Sequence, residues 1–169
     1  QVTGANGCVN TDQVVVSTDL NLPDVNAGVD LTLNCNNSSV TINGSGDGVA
    51  VLLDADGNVV GNGFNASVDA SGTFTLQVTG TDGCIATDEV VVTADITPPS
   101  VSAGTDLILD CNNTSVTING SGDGVAVLLD AEGNVVANGL SATVNTPGTF
   151  TVQVTGDNGC IATDEVVVT

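Results

Sequence analysis

The chain has 169 residues and carries 20 Asp and Glu but no Lys, Arg or His, so its formal net charge is −20 at neutral pH. This charge excludes electrostatic attraction to nucleic acid or to an anionic membrane surface, because both need basic side chains near phosphate. Tyr is absent too, so the usual catalytic bases and phosphate-binding groups are missing, and we expect a protein that is not an enzyme and has no catalytic residues.

The chain opens with a segment that returns twice. Residues 1–17 closely match residues 77–93, and residues 24–93 align without a gap on residues 100–169, with 17 differences in 70 positions. Matching segments at one constant offset predict an array of repeats. We therefore divide the chain into the C-terminal hairpin of a preceding repeat and two further repeats, with the boundaries 1–22, 23–98 and 99–169.

Within each repeat, apolar residues alternate with polar ones, which is typical of a strand with one buried face. The clearest run is 73–79, where Phe74, Leu76 and Val78 share one face. Gly-rich turn sequences separate the runs. About seven short strands in each repeat predict an all-β sandwich of roughly immunoglobulin size. In chain order, the predicted strands of the first full repeat are A (25–34), B (39–44), C (48–54), C′ (58–62), E (64–69), F (73–80) and G (84–93).

Several stretches together resemble a known class of repeat. They are NAGVD at 26–30, SAGTD at 102–106, VTINGSG at 40–46, and GTFTLQVT at 72–79 followed by DGC at 82–84. These stretches look like the PKD-like, immunoglobulin-like repeats of very long cell-surface adhesins of Bacteroidota, including gliding-motility adhesins of the SprB type. The resemblance covers nearly the whole chain. It implies tandem immunoglobulin-like domains arranged end to end, export to the cell surface, and a role in adhesion or motility.

The five cysteines follow the same repeat. Cys8, Cys84 and Cys160 occupy equivalent positions in successive copies, and so do Cys35 and Cys111. The predicted strands put Cys35 and Cys84 at opposite poles of a sandwich, about 30 Å apart, whereas a disulfide needs Cα atoms within about 7 Å. We favour a disulfide across the junction of two repeats. Cysteines that form no disulfide at all remain an alternative. The pairings considered are Cys35–Cys160 (favoured), Cys35–Cys84 with Cys111–Cys160 (the main alternative), and Cys8–Cys35 with Cys84–Cys111.

Two predicted turns carry alternating oxygen-bearing side chains, which resemble the first half of a calcium-binding loop. Asp-Gly, present in the first of these turns, also favours a simple β-hairpin, and we favour the hairpin without metal for both turns. No cofactor is required on this interpretation, and calcium is the cation these turns would fit. The candidate ligands are Asp54, Asp56 and Asn58 in one repeat and Asp130, Glu132 and Asn134 in the next. A second candidate set near strand ends comprises Asp30, Asp88, Glu89 and Asp95, repeated as Asp106, Asp164 and Glu165.

Near-identical neighbouring repeats predict a structural stalk, the part of an extracellular adhesin filament that projects a binding tip or transmits force to it. Its main partners would be neighbouring repeats of the same chain. Two alternatives stay open. The repeat surface could itself bind glycans or proteins, or the hairpin at 1–18 could pair with another chain in a self-assembling surface filament. We expect the chain to be an excerpt from a longer secreted protein at the cell surface.

Overall fold

The structure, a computed structural model, describes residues 1–18 and 21–169, so residues 19 and 20 of the predicted segment 1–22 lie outside the described part. Every regular element in the described residues is a β-strand. No described segment forms a helix long and apolar enough to cross a membrane. The first two strands form a short antiparallel hairpin, β1 (Val2–Thr3) and β2 (Val9–Asn10).

Residues 25–95 form a two-layered β-sandwich. One layer is a five-stranded sheet in the order β4-β11-β10-β7-β8, and the other consists of the pairs β5–β9 and β3–β6. All pairings are antiparallel except β4 with β11, which run parallel. The strands are β3 (Val25–Asn26), β4 (Leu31–Asn34), β5 (Val40–Asn43), β6 (Ser45–Gly46), β7 (Val49–Leu53), β8 (Val59–Asn62), β9 (Asn65–Val68), β10 (Gly72–Thr79) and β11 (Ile85–Asp95).

Residues 101–168 repeat this architecture. A four-stranded sheet has the order β16-β15-β18-β19, and the pairs β13–β17 and β12–β14 cover it. The counterpart of β4 is a single parallel bridge between Leu107 and Val168. The strands are β12 (Val101–Ser102), β13 (Val116–Asn119), β14 (Ser121–Gly122), β15 (Val125–Leu129), β16 (Val135–Asn138), β17 (Ser141–Val144), β18 (Gly148–Thr155) and β19 (Ile161–Val168).

Each sandwich has its own apolar core, built from the alternation in its strands. In β10, Phe74, Leu76 and Val78 are 6%, 0% and 0% exposed, while the residues between them stay partly exposed. Leu76 pairs with Leu52 of β7, and Ile42 joins the same cluster from the opposite layer. Burying one such side chain contributes about 1.5–3 kcal/mol, so the core holds the two layers together. A separate cluster fills the second sandwich.

The prediction of a continuous strand A over 25–34 was wrong. That segment divides into β3, which pairs with β6, and β4, which pairs with β11, so the chain crosses from one layer to the other. The crossing occurs at Gly28, whose φ of 96° favours glycine, and a Cβ there would lie 2.9 Å from the Asn43 carbonyl oxygen. The crossing leaves β4 beside the long strand β11, and it thereby places the end of β4 at one pole of the sandwich.

The hairpin at the start of the chain shows what the sandwich adds. Val2 and Val14 are the counterparts of Val78 and Val90, which are fully buried, but they are 72% and 86% exposed. Residues 11–18 form no strand, whereas the equivalent residues of β11 do. In the described structure, residues 1–18 form the β1–β2 hairpin and do not pack into a sandwich.

Candidate functional site

Cys35 lies on a tight turn at the end of β4, at one pole of the first sandwich. The Asn34 side-chain oxygen accepts hydrogen bonds from the backbone N–H groups of Asn36 and Asn37, at 3.1 and 2.8 Å. The backbones of Asn34 and Asn37 also exchange two hydrogen bonds, of 3.0 and 3.1 Å. An Asn side chain that accepts from amides just ahead of it fixes a turn locally. We call residues 34–37 the polar turn.

The second sandwich meets this turn with the loop between β18 and β19. The Gly156 N–H donates to the Cys160 carbonyl, and the Gly159 N–H donates to the Gly156 carbonyl, both at 2.9 Å. Gly159 adopts a φ of 77°, which suits glycine in a tight hairpin. The same backbone hydrogen bonds recur at 4–8 and 80–84, so the described residues include three copies of one turn.

A disulfide joins Cys35 to Cys160, with a Cα–Cα distance of 4.9 Å and a sequence separation of 125. This is the pairing favoured from the positions of the strand ends, and it precludes Cys35–Cys84, Cys8–Cys35 and Cys111–Cys160 in the same molecule. Strand register explains why Cys35 does not bond to Cys84. Asn34, next to Cys35, pairs with Asp95 at one end of β11, whereas Cys84 lies at the other end of that strand, about 35 Å away.

Hydrogen bonds surround the disulfide and connect the second repeat to the first repeat and to the linker, the segment 96–100 between β11 and β12. The Cys35 N–H donates to the Asn158 carbonyl at 3.1 Å. The Asn158 side-chain amide donates to an Asp95 carboxylate oxygen and to the Thr97 carbonyl, both at 2.9 Å. The chain has no basic side chain to pair with Asp95, and Asn158 supplies this carboxylate with an amide donor. We call residues 34–37, 95–97 and 156–160 the junction.

Sequence reasoning did not single out Asn158 for a structural role. The only signal is that the first repeat has Asp82 at the equivalent position. Asp82 cannot donate. Its carboxylate accepts from the Cys84 N–H at 3.0 Å, and this hydrogen bond lowers the pKa of Asp82. An Asp at position 158 would set two carboxylates against each other across the junction.

The remaining cysteines lie away from this junction. Cys8 and Cys111 are exposed and take no part in a disulfide, and Cys84 is half-buried in its turn. Cys111 occupies the turn equivalent to that of Cys35, where Asp110 accepts from the N–H groups of Asn112 and Asn113, both at 2.7 Å. Those bonds, with that from Asn113 the larger cause, lower the pKa of Asp110. The second repeat therefore displays the same kind of polar turn at its own far pole.

The candidate calcium turns are hairpin turns closed by hydrogen bonds. Asp54 accepts from the side-chain amide of Asn58, and from the N–H groups of Asn58 and Asp56 at 2.8 and 3.0 Å. These bonds, chiefly that of the Asn58 side chain, lower the pKa of Asp54. The second repeat has the same arrangement around Asp130 and Asn134.

Asp54 and Asp56 line a surface groove of about 350 Å³ together with Asp69. In the described part of the chain, however, no three acidic or cysteine side chains converge as a metal site requires. A hairpin without metal therefore stays the favoured prediction for these turns, with calcium binding as its untested alternative.

The second set of carboxylates pins backbone segments together. Asp88 accepts from the Ala27 N–H at 2.8 Å, and Asp30 accepts from the Val91 N–H at 2.9 Å. Each carboxylate therefore satisfies an amide beside the crossing from β3 to β4. The second repeat reproduces both bonds, from Ala103 to Asp164 at 2.8 Å and from Val167 to Asp106 at 2.9 Å.

The strand pairings define the chain as tandem immunoglobulin-like β-sandwich domains. No protein-family model matches the sequence, and a search of curated proteins gave no match. Solved structures similar to it include the two immunoglobulin domains of DIP-gamma (TM-score 0.46, 11% identity, 87% of this chain and 96% of that one). The insect immune protein hemolin (0.44, 14%, 85% and 45%) and Sidekick-1 immunoglobulin domains 1–5 (0.43, 10%, 86% and 38%) are also similar. Likeness at this level indicates nothing about partners.

Proposed function

We propose that this chain is part of an extracellular structural stalk, a non-catalytic repeat array that projects a binding tip, or transmits force to it, in surface adhesion or gliding. The observation that carries the proposal is the Cys35–Cys160 bridge between the two sandwiches. A covalent bond beside the segment 96–100, which links β11 to β12, adds a second connection between the repeats and restricts bending about that segment. A disulfide also favours an oxidising compartment, in keeping with a location outside the cell.

The charge of the chain supports the same proposal. All 20 titratable side chains other than cysteine are acidic, so neighbouring repeats repel one another except where the junction holds them. Such repulsion favours an extended array and opposes pairing between near-identical sandwiches. The resemblance to repeats of Bacteroidota adhesins is the basis for naming adhesion or gliding as the setting. Partners are then the neighbouring repeats, with surface glycans or proteins bound elsewhere.

Small-angle scattering of the oxidised chain tests the stalk. With β11 spanning one repeat in about 36 Å, two repeats end to end give a radius of gyration of about 22–25 Å. A compact globule of 169 residues would have a radius of gyration of about 15 Å. We expect the larger value, and a broader distance distribution after reduction or in Cys35→Ser. Cys111→Ser, which removes an exposed thiol outside the bridge, serves as the control. The compact value for the oxidised chain would contradict the proposal.

The alternative functions predict other results. In sedimentation, the apparent mass of a self-assembling subunit rises with protein concentration. A segment of a covalent stalk stays monomeric, provided that Cys8 and Cys111 are kept from oxidising. A binding module retains glycans or proteins on the immobilised two-repeat chain, whereas a stalk segment does not. Either positive result would replace the stalk as the assigned function.

A further inference from the structure

We propose that the Cys35–Cys160 bridge limits how far the chain can be stretched, by diverting tension around most of both repeats. The inference rests on the proposed stalk function in one respect, because a stalk is the setting in which the chain would be under tension. The limit on extension itself depends only on which residues the bridge connects. The bridge joins residues 125 apart in sequence, so it closes a loop that contains most of the chain.

Tension applied at the two ends follows the shortest covalent path. With the bridge intact, that path runs through residues 1–35, crosses to Cys160 and continues to Thr169. Residues 36–159, which include β5 to β18, lie outside it. At about 3.3–3.6 Å per residue, the chain reaches about 550–600 Å without the bridge and about 150–160 Å with it.

Within the two sandwiches, the elements on this path are already extended. β4 runs along the first sandwich to Cys35, and β19 begins just after Cys160 and runs along the second. A β-strand rises about 3.3 Å per residue, close to the limit for a polypeptide, so neither strand can lengthen much. Full load can therefore pass through both repeats with little gain in length, and neither core has to open.

A bridge at every junction would make a whole array resist extension. The segment from Cys84 to Cys111 contains β11, the linker and β12. The load path would alternate such segments with bridges, one segment for every two repeats, and would bypass the rest of the chain. Fully taut, each segment measures about 90–97 Å, against about 72 Å for two folded repeats.

Single-molecule force spectroscopy on the full chain, held at its two ends through attachments that use no thiol, tests the inference. We expect the oxidised chain to reach a contour length of about 150–160 Å, and to gain about 410–450 Å on reduction or in Cys35→Ser. Cys111→Ser should behave like the oxidised parent. An oxidised chain that extends to the full length expected without the bridge, or one whose contour length is unchanged by reduction, would overturn the extension limit.

The two proposals fail independently. Scattering from the unstretched chain reports on the stalk, and contour length reports on the extension limit. A compact oxidised chain that still stops at about 160 Å would remove the stalk and leave the limit intact. An extended chain that lengthens fully when pulled would do the opposite.

Discussion

Gly159 offers the sharpest test of the junction, because the chain contains its own control. Gly159 and Gly83 occupy the same turn in successive repeats, with φ values of 77° and 84°. A Cβ at Gly83 would meet nothing within 4 Å, whereas a Cβ at Gly159 would overlap the side chain of Asn36 in the polar turn. Gly83→Ala and Gly159→Ala therefore share the backbone strain and differ only in the contact between repeats.

The expected magnitudes follow from these surroundings. Alanine in the left-handed region costs about 1–2 kcal/mol, and this applies to both variants. Gly159→Ala must in addition displace the Asn36 side chain. We expect the polar turn to move with this side chain, which would weaken the hydrogen bond from the Cys35 N–H to the Asn158 carbonyl. Losing a hydrogen bond of about 1–1.5 kcal/mol lowers the equilibrium constant for closing the bridge about five- to tenfold.

The assay measures the equilibrium constant for forming the Cys35–Cys160 disulfide in a glutathione redox buffer. The bonded fraction is quantified by peptide mapping under non-reducing conditions. We expect a five- to tenfold lower constant for Gly159→Ala, little change for Gly83→Ala, and recovery when Asn36→Ala is added to Gly159→Ala, because the clash is then relieved. If Gly83→Ala weakened the bridge as much as Gly159→Ala, or if Asn36→Ala restored nothing, the described packing at this junction would be wrong.

Three further predictions concern the cores, the acid range and calcium. Leu52→Ala should lower the free energy of unfolding of the first repeat by about 2–5 kcal/mol, and Leu128→Ala that of the second, each seen by hydrogen exchange mainly in its own repeat. The pKa of Asp54 lies below its ordinary value of 3.8, so its contribution to stability is present above that value and is lost as pH falls through the lowered pKa. Asp54→Asn should therefore flatten the acid side of the melting profile, and an unchanged profile would contradict this. The Asp54 turn is closed without metal, so chelator should leave the melting temperature unchanged; a rise with calcium that Asp56→Asn abolishes would instead establish a calcium site.

Local patterns were sufficient to predict much of the fold. The alternation around Leu76 depends only on which residues are apolar, and it placed β10 and its buried face correctly. The Asp54–Asn58 turn was equally accessible, because its hydrogen bonds lie within five consecutive residues. Strand length argued against Cys35–Cys84, since a strand of known rise separates its ends by a known distance, and an end-to-end arrangement of repeats then favoured Cys35–Cys160.

Contacts between distant segments were not accessible in this way. The division of strand A depends on which layer each half pairs with, and nothing near Gly28 in sequence specifies that choice. The bonds from Ala27 to Asp88 and from Asn158 to Asp95 join residues 61 and 63 apart. An Asp or Asn in a turn or strand has many possible donors, and only the packing of layers and repeats selects one.

The separation of 125 residues across the bridge also imposes an order of events on biosynthesis. A chain that emerges with its N-terminus first presents Cys35, and then Cys84, well before Cys160 is available. Bonding between Cys35 and Cys84 is disfavoured once β11 forms and holds them at opposite poles. Prompt folding of the first repeat thus keeps Cys35 from bonding to Cys84, so that its thiol is still free when Cys160 of the next repeat is synthesised.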